Sequence, residues 1–130
     1  MKHLIIILVF CLQLFADNLY WYNDKQKTQL YSIGYSEQYN SIIYSNSKNT
    51  KSKKMVLTNN IIVTFNQKIT TDKLSALLDK YNLKLVKKMN IGNGFYILKC
   101  LDNNSLEIAN VIYENEDNIK SSYPDWMYLK

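Results

Sequence analysis

Between Asn60 and Trp126 the apolar positions change period in a fixed order, and that order constrains the fold more than any other feature. Asn60-Ile61-Ile62-Val63-Thr64-Phe65 alternates as a strand, with Ile61, Val63 and Phe65 on one face. Thr70 or Thr71 can cap a helix, and Asp72 suits its positive end. Leu74, Leu77, Leu78 and Tyr81 then recur at helical spacing, and Asn82 tolerates the left-handed backbone that often ends a helix. Leu83–Lys87 predicts a second strand, and the turn-rich Asn90-Ile91-Gly92-Asn93-Gly94 joins it to a third, Phe95–Cys100. Asp102–Ser105 supplies a cap for a second helix striped by Leu106, Ala109, Ile112 and Tyr113. Asn118–Tyr123 predicts a short fourth strand, closed by Pro124, which cannot continue a central ladder.

Strand, helix, strand, strand, helix, strand predicts an α+β fold: a ferredoxin-like βαββαβ four-stranded antiparallel sheet with two helices on one face. A sheet whose second face meets water should alternate apolar and polar residues. Phe95-Tyr96-Ile97-Leu98 instead places large apolar groups on both faces. The open face is therefore expected to meet another protein surface, the competing reading being that an N-terminal hairpin covers it.

Residues 1–16 read as a secretory signal peptide. Lys2 and His3 precede the apolar run Leu4–Leu12, and Ala16 offers a small residue for cleavage before Asp17. The run is too short to span a bilayer, so a retained anchor is the weaker reading. Cys11 follows bulky Phe10, which argues against lipid attachment. The expected location is outside the cytoplasm: periplasmic, cell-surface or secreted. Residues 17–35 hold two aromatic runs, Leu19–Tyr22 and Thr28–Tyr31, around Asn23-Asp24-Lys25, and predict a β-hairpin. Residues 36–59, rich in Ser, Asn and Lys with one apolar island at Ile42-Ile43-Tyr44, predict a mobile polar linker holding at most one short strand. Residues 60–130 form the βαββαβ domain.

Composition excludes several chemistries. After cleavage one cysteine remains, Cys100, so stability must come from packing and not from an internal disulfide. Cleavage also removes His3, the sole histidine, so a Ser-His-Asp triad, a Cys-His pair or a His-ligated zinc site cannot be built from the mature chain. No catalytic, metal or cofactor residue is expected. The chain is basic, with fifteen lysines against eleven acids once Lys2 is gone, yet it contains no arginine, the preferred reader of phosphate and guanine. The lysines at 48–54 lack interleaved aromatics and read as a solvated run. Glu114, Glu116 and Asp117 cluster without the regular oxygen spacing and turn glycine of a calcium loop.

Residues 60–126 resemble the propeptide of subtilisin-like serine proteases. The points of resemblance are Ile62-Val63-Thr64-Phe65 in the first strand, Tyr96-Ile97-Leu98-Lys99 in the third, and the closing Ile119-Lys120-Ser121-Ser122-Tyr123-Pro124-Asp125-Trp126. The aromatic hairpin ahead of the module is similar to the fervidolysin-type variant of that prodomain. The resemblance implies a non-enzymatic domain that binds a subtilisin-like catalytic domain, assists its folding and holds it inactive. It implies that the sheet face, including Phe95 and Ile97, packs on the protease. It also implies that Tyr123, Pro124, Asp125, Trp126, Met127 and Tyr128 lead an extended tail into the substrate cleft. Lys120 departs from the acid often found there. With the sequence ending at Lys130, the expectation is either a trans-acting inhibitor or the N-terminal part of a secreted subtilase.

Three rivals share the fold. An RNA-recognition domain needs aromatics where Ile97 and Cys100 stand and a small residue at Tyr96, so no nucleic-acid partner is expected. A metal chaperone needs a Cys-x-x-Cys loop, which the sequence lacks. The alternative function is an extracytoplasmic protein-binding or adhesion module using Tyr20, Trp21, Tyr22 and Trp126 as exposed contacts.

Overall fold

The computed structural model describes residues 19–49 and 51–130. The segment expected to be a signal peptide, with His3 and Cys11, lies outside the described residues. Strands β1 (Tyr20–Asn23) and β2 (Gln26–Gln29) form a hairpin. Its turn residues Asp24 and Lys25 both have positive φ, 48° and 69°, the backbone whose twist matches that of the flanking strands. Then follow β3 (Tyr31–Ser36), β4 (Ser41–Ser45), β5 (Lys54–Val56) and β6 (Asn60–Phe65). Helix α1 (Thr71–Tyr81), β7 (Leu83–Met89), β8 (Phe95–Cys100), helix α2 (Ser105–Asn115), β9 (Ile119–Pro124) and β10 (Met127–Leu129) complete the chain.

Strands β6 to β9 form one antiparallel sheet in the order β7-β8-β6-β9. Alternation decides its core. Ile61, Val63 and Phe65 of β6 and Tyr96, Leu98 and Cys100 of β8 cluster with Leu77 of α1 and with Ala109 and Ile112 of α2. The expected caps form in part. The Thr70 hydroxyl accepts from the Lys73 N–H at 3.2 Å, and Asn82 ends α1 at φ 54°. At α2 the N-cap Asn104 makes no side-chain cap bond; the buried Ser105 hydroxyl instead donates to the Thr58 carbonyl at 2.7 Å. Pro124 sits at the end of β9, an outer strand, where its missing N–H costs no ladder bond. In the turn before β8, Gly94 has φ 109°, and a Cβ there would stand 2.6 Å from the Tyr96 ring, so only glycine fits.

The segment expected to be a linker, 36–59, is instead part of a second sheet. Its order is β10-β5-β4-β3, antiparallel throughout. The Ile42-Ile43-Tyr44 island forms most of β4, and Tyr44, Met55 and Val56 are buried while Lys48, Lys51, Lys53 and Lys54 stay exposed. Tyr44 and Met55 join Trp21, Leu30 and Trp126 in a second core. Residues too short for a strand on propensity alone become one because a partner strand completes their hydrogen bonds.

The hairpin forms as expected, and the competing reading, that it covers the open face, holds only at the β9 end, where the Trp21 ring lies 6.5 Å from that of Tyr123. It also packs against α2. Tyr22 stacks on Tyr113 at 4.3 Å, the Asn110 amide donates to the Tyr20 carbonyl at 2.8 Å, and the Tyr20 and Tyr22 hydroxyls donate to Glu114 at 2.9 and 2.7 Å. Burial and then the Glu114 bond push the Tyr22 phenol above its ordinary range. Glu114 is thus a structural acceptor. Its neighbour Glu116 holds Lys80 at 2.7 Å and accepts from Tyr81 at 2.6 Å, and those bonds lower its carboxyl below the usual value.

Cys100 is buried in the first core, as a small apolar residue. Burial first, and then the nearby Asp102 carboxylate, push its thiol up to about 11. Thiolate is the reacting form, so at pH 8 the native thiol is expected to react at least tenfold more slowly with a disulfide reagent than in denaturant. A Cys11→Ser chain followed by absorbance checks this; equal rates would place Cys100 at the surface.

Candidate protein-binding face and cleft

The cross-strand register defines the face turned away from the helices. Residues directly opposite each other in a sheet point the same way, so each ladder rung that avoids the helices belongs to this face. One rung runs Tyr123, Ile62, Ile97, Lys87. A second runs Ser121, Thr64, Phe95, Met89, with the Thr64 and Ser121 hydroxyls bonded to each other. A third runs Asn60, Lys99, Lys84. Ile62 is buried, Phe95, Ile97, Met89 and Tyr123 are half-buried, and all three lysines are exposed. The face is apolar along its middle and cationic at one corner.

A register shift between Leu85 and Lys87 shapes that corner. Strict alternation from Lys84 would send Val86 to the open face and Lys87 to the helix face. The bulge adds one residue, so Lys87 stands opposite Ile97 and Val86 is left 54 % exposed at the kink.

At the other end of the face lies a cleft of about 420 Å³ between the hairpin turn, β9 and β10. Its apolar wall includes Ile62, Tyr123, Trp126 and Tyr128; Asp24, Lys25, Lys120 and Asp125 stand around it. Burial, and then Asp125 and Tyr128, raise the Tyr123 phenol above its ordinary value. The backbone of Asp125 is fixed from both sides: its N–H donates to the Asn60 carbonyl at 2.9 Å, and its carbonyl accepts from the Thr58 hydroxyl at 2.8 Å.

The expected site residues therefore divide. Phe95 and Ile97 lie on the open face as expected, and Tyr123 joins them. Pro124 is buried and pairs with Ile61. The tail is not free. Trp126 is 8 % exposed, with its ring 5.6 Å from Trp21 and 5.9 Å from Tyr44. Met127 and Tyr128 belong to β10, paired with Val56 and Met55, and Tyr128 turns a half-exposed ring outward. The alternative set of exposed aromatic contacts is corrected too: Trp21 is 4 % exposed with its indole N–H bonded to Asn46 at 2.9 Å, and Tyr20 and Tyr22 are engaged by Glu114. Trp21 and Trp126 face inward because Leu30, Tyr44 of β4 and Met55 of β5 close on them, a meeting that local sequence does not encode.

The lysine corner was missed by the sequence reading. The signal available was the third-strand alternation Phe95, Ile97, Lys99, which puts a charge in line with two apolar groups. No family model, no curated protein and no solved structure matches this chain.

Proposed function

We propose that this chain is an exported propeptide-like domain that binds a subtilisin-type serine protease, as an inhibitor and folding chaperone, and is not itself an enzyme. The observation that carries the reading is the apolar strip on the sheet face turned away from both helices: Ile97 and Phe95 are half-exposed, and Ile62 and Tyr123 continue the strip toward the second core, which packs on Tyr123. The strand order β7-β8-β6-β9 supports the ferredoxin-like assignment, in which the first and third strands of the module lie at the centre. A strip of this kind on a small exported domain favours a partner protein that removes it from water.

The paired tail changes how such binding would run. The part of the sheet face around Ile97, Phe95 and Met89 is free to dock as it stands. Residues 127–129 must leave β5 before they can extend into a substrate cleft, exchanging one set of strand hydrogen bonds for another. The docking energy therefore belongs mainly to the face.

A second reading, a protein-binding or adhesion module, is favoured by one different observation. Tyr35, Tyr39 and Ile42, at 55 %, 40 % and 42 % exposure, gather where β3 meets β4. Titrating the chain into several active subtilisin-like proteases separates the two. Inhibition abolished by Ile97→Asp and untouched by Tyr35→Ser is the expected result. Neither inhibition nor binding at micromolar concentration to any of them would overturn the protease reading.

A further inference from the structure

Lys84 and Lys99 stand directly opposite each other across the β7–β8 pair, on the uncovered face, and Lys87 follows in the next rung beside Ile97. Like charges in this position oppose sheet formation. Among the described residues the ion pair within 4.0 Å is Lys80–Glu116, which involves none of the three. No acid occupies any rung of the face. The β-bulge increases the concentration of charge by turning Lys87 toward the other two. A cationic corner held against its own repulsion, and joined to an apolar strip, is complementary to a surface of the opposite layout.

We infer that this corner docks an acidic protein surface, and that Lys84, Lys87 and Lys99 select which subtilisin-like catalytic domain the face accepts. The inference rests on the protease-binding reading. The partner surface carries an apolar centre, met by Ile97, Phe95 and Met89, and a group of Asp or Glu side chains at one end, met by the three lysines. Charges at the rim of such an interface act through encounter rate and choice of partner, because like-charged surfaces are rejected. Single-stranded nucleic acid fits the face less well. Its bases need adjacent aromatic platforms, whereas Phe95 and Tyr123 lie on different rungs with β6 between their strands.

The test uses the full chain and two subtilisin-like catalytic domains whose nucleophilic serine is replaced by alanine, one with a strongly acidic surface and one with a basic surface. The acidic domain is expected to bind, and its affinity to fall about tenfold between low and 0.3 M salt. Lys84→Glu with Lys99→Glu is expected to weaken that binding at least tenfold and to improve binding to the basic domain. The single change Lys84→Glu reads the same corner without a partner. It places opposite charges across the pair and must raise the melting temperature of the free chain. Equal binding to both domains, or binding indifferent to salt and to charge reversal, overturns the charge assignment and leaves the protease reading standing. Binding to neither domain overturns both. Tighter binding to poly(U) than to the acidic domain at the same salt identifies a nucleic-acid face and overturns the inference. A lower melting temperature for Lys84→Glu shows the repulsion to be absent, with the same consequence.

Discussion

Replacing Trp126 with alanine is expected to destabilise the chain by about 3–5 kcal/mol, the range for truncating a buried aromatic. For a chain of this length that corresponds to roughly 10–20 °C in melting temperature. Trp126 packs edge-on against both Trp21 and Tyr44, so its loss opens a void that two large rings cannot fill without leaving their own contacts. The damage should be local. The βαββαβ core of Ile61, Leu98, Ile112 and their neighbours does not include Trp126, so far-ultraviolet circular dichroism should keep its helical signal while Trp21 fluorescence moves toward that of a solvated indole. Trp126→Phe sharpens the case. The indole N–H is buried without a partner among the described residues, and phenylalanine removes that unpaired donor while keeping most of the ring volume. Its cost should stay below about 1.5 kcal/mol. A Trp126→Ala protein within about 1 kcal/mol of the parent would mean that the second core contributes little.

Leu98→Ala is expected to act differently. Leu98 is fully buried on a central strand, opposite Ile61 on one side and Leu85 on the other. The loss should fall in the range of about 2–5 kcal/mol set by how far the cavity can collapse. The hairpin leans on α2 through Tyr22, Asn110 and the Glu114 bonds and on β9 through Trp21 and Tyr123, so the second core depends on the first. Fluorescence and circular dichroism should therefore report one coincident transition for Leu98→Ala. In Trp126→Ala the two probes should separate, fluorescence first. Separated transitions in Leu98→Ala, with the tryptophan signal outlasting the helices, would reverse the proposed dependence.

The elements between Asn60 and Pro124 were legible because their signals are local: alternation in β6 and β8, a stripe in each helix, and turn residues between them. The second sheet was not. Strands β5 and β10 are three residues each, and they pair with one another across some seventy residues of chain. Neither has a pattern long enough to read, and the lysines around β5 resemble those of a solvated loop. The tail was misjudged for the same reason: its extended form was expected, but its partner, β5, lay in the supposed linker. Within the site, Phe95 and Ile97 followed from simple alternation. Lys87 could not, since a bulge at Val86 reverses its side and only the pairing with β8 reveals it. Helix α2 was half-read. Its stripe was expected to serve one core, yet Ala109 and Ile112 enter the first while Leu106 reaches the second.

The meeting of Trp21 with Trp126 bears on the order in which the chain can close. These two rings, at opposite ends of the described chain, are neighbours in one core. During synthesis Trp21 emerges first and waits while some hundred further residues are added, on the order of 5–20 s at ordinary elongation rates. Throughout that interval the second core, begun by Trp21, Leu30, Tyr44 and Met55, lacks Trp126 and the flanking Leu106 and Tyr123. Under the export proposed above, a machinery that threads unfolded polypeptide would meet the N-terminal third of this protein before Trp126 has joined it, and that last contact would form after passage.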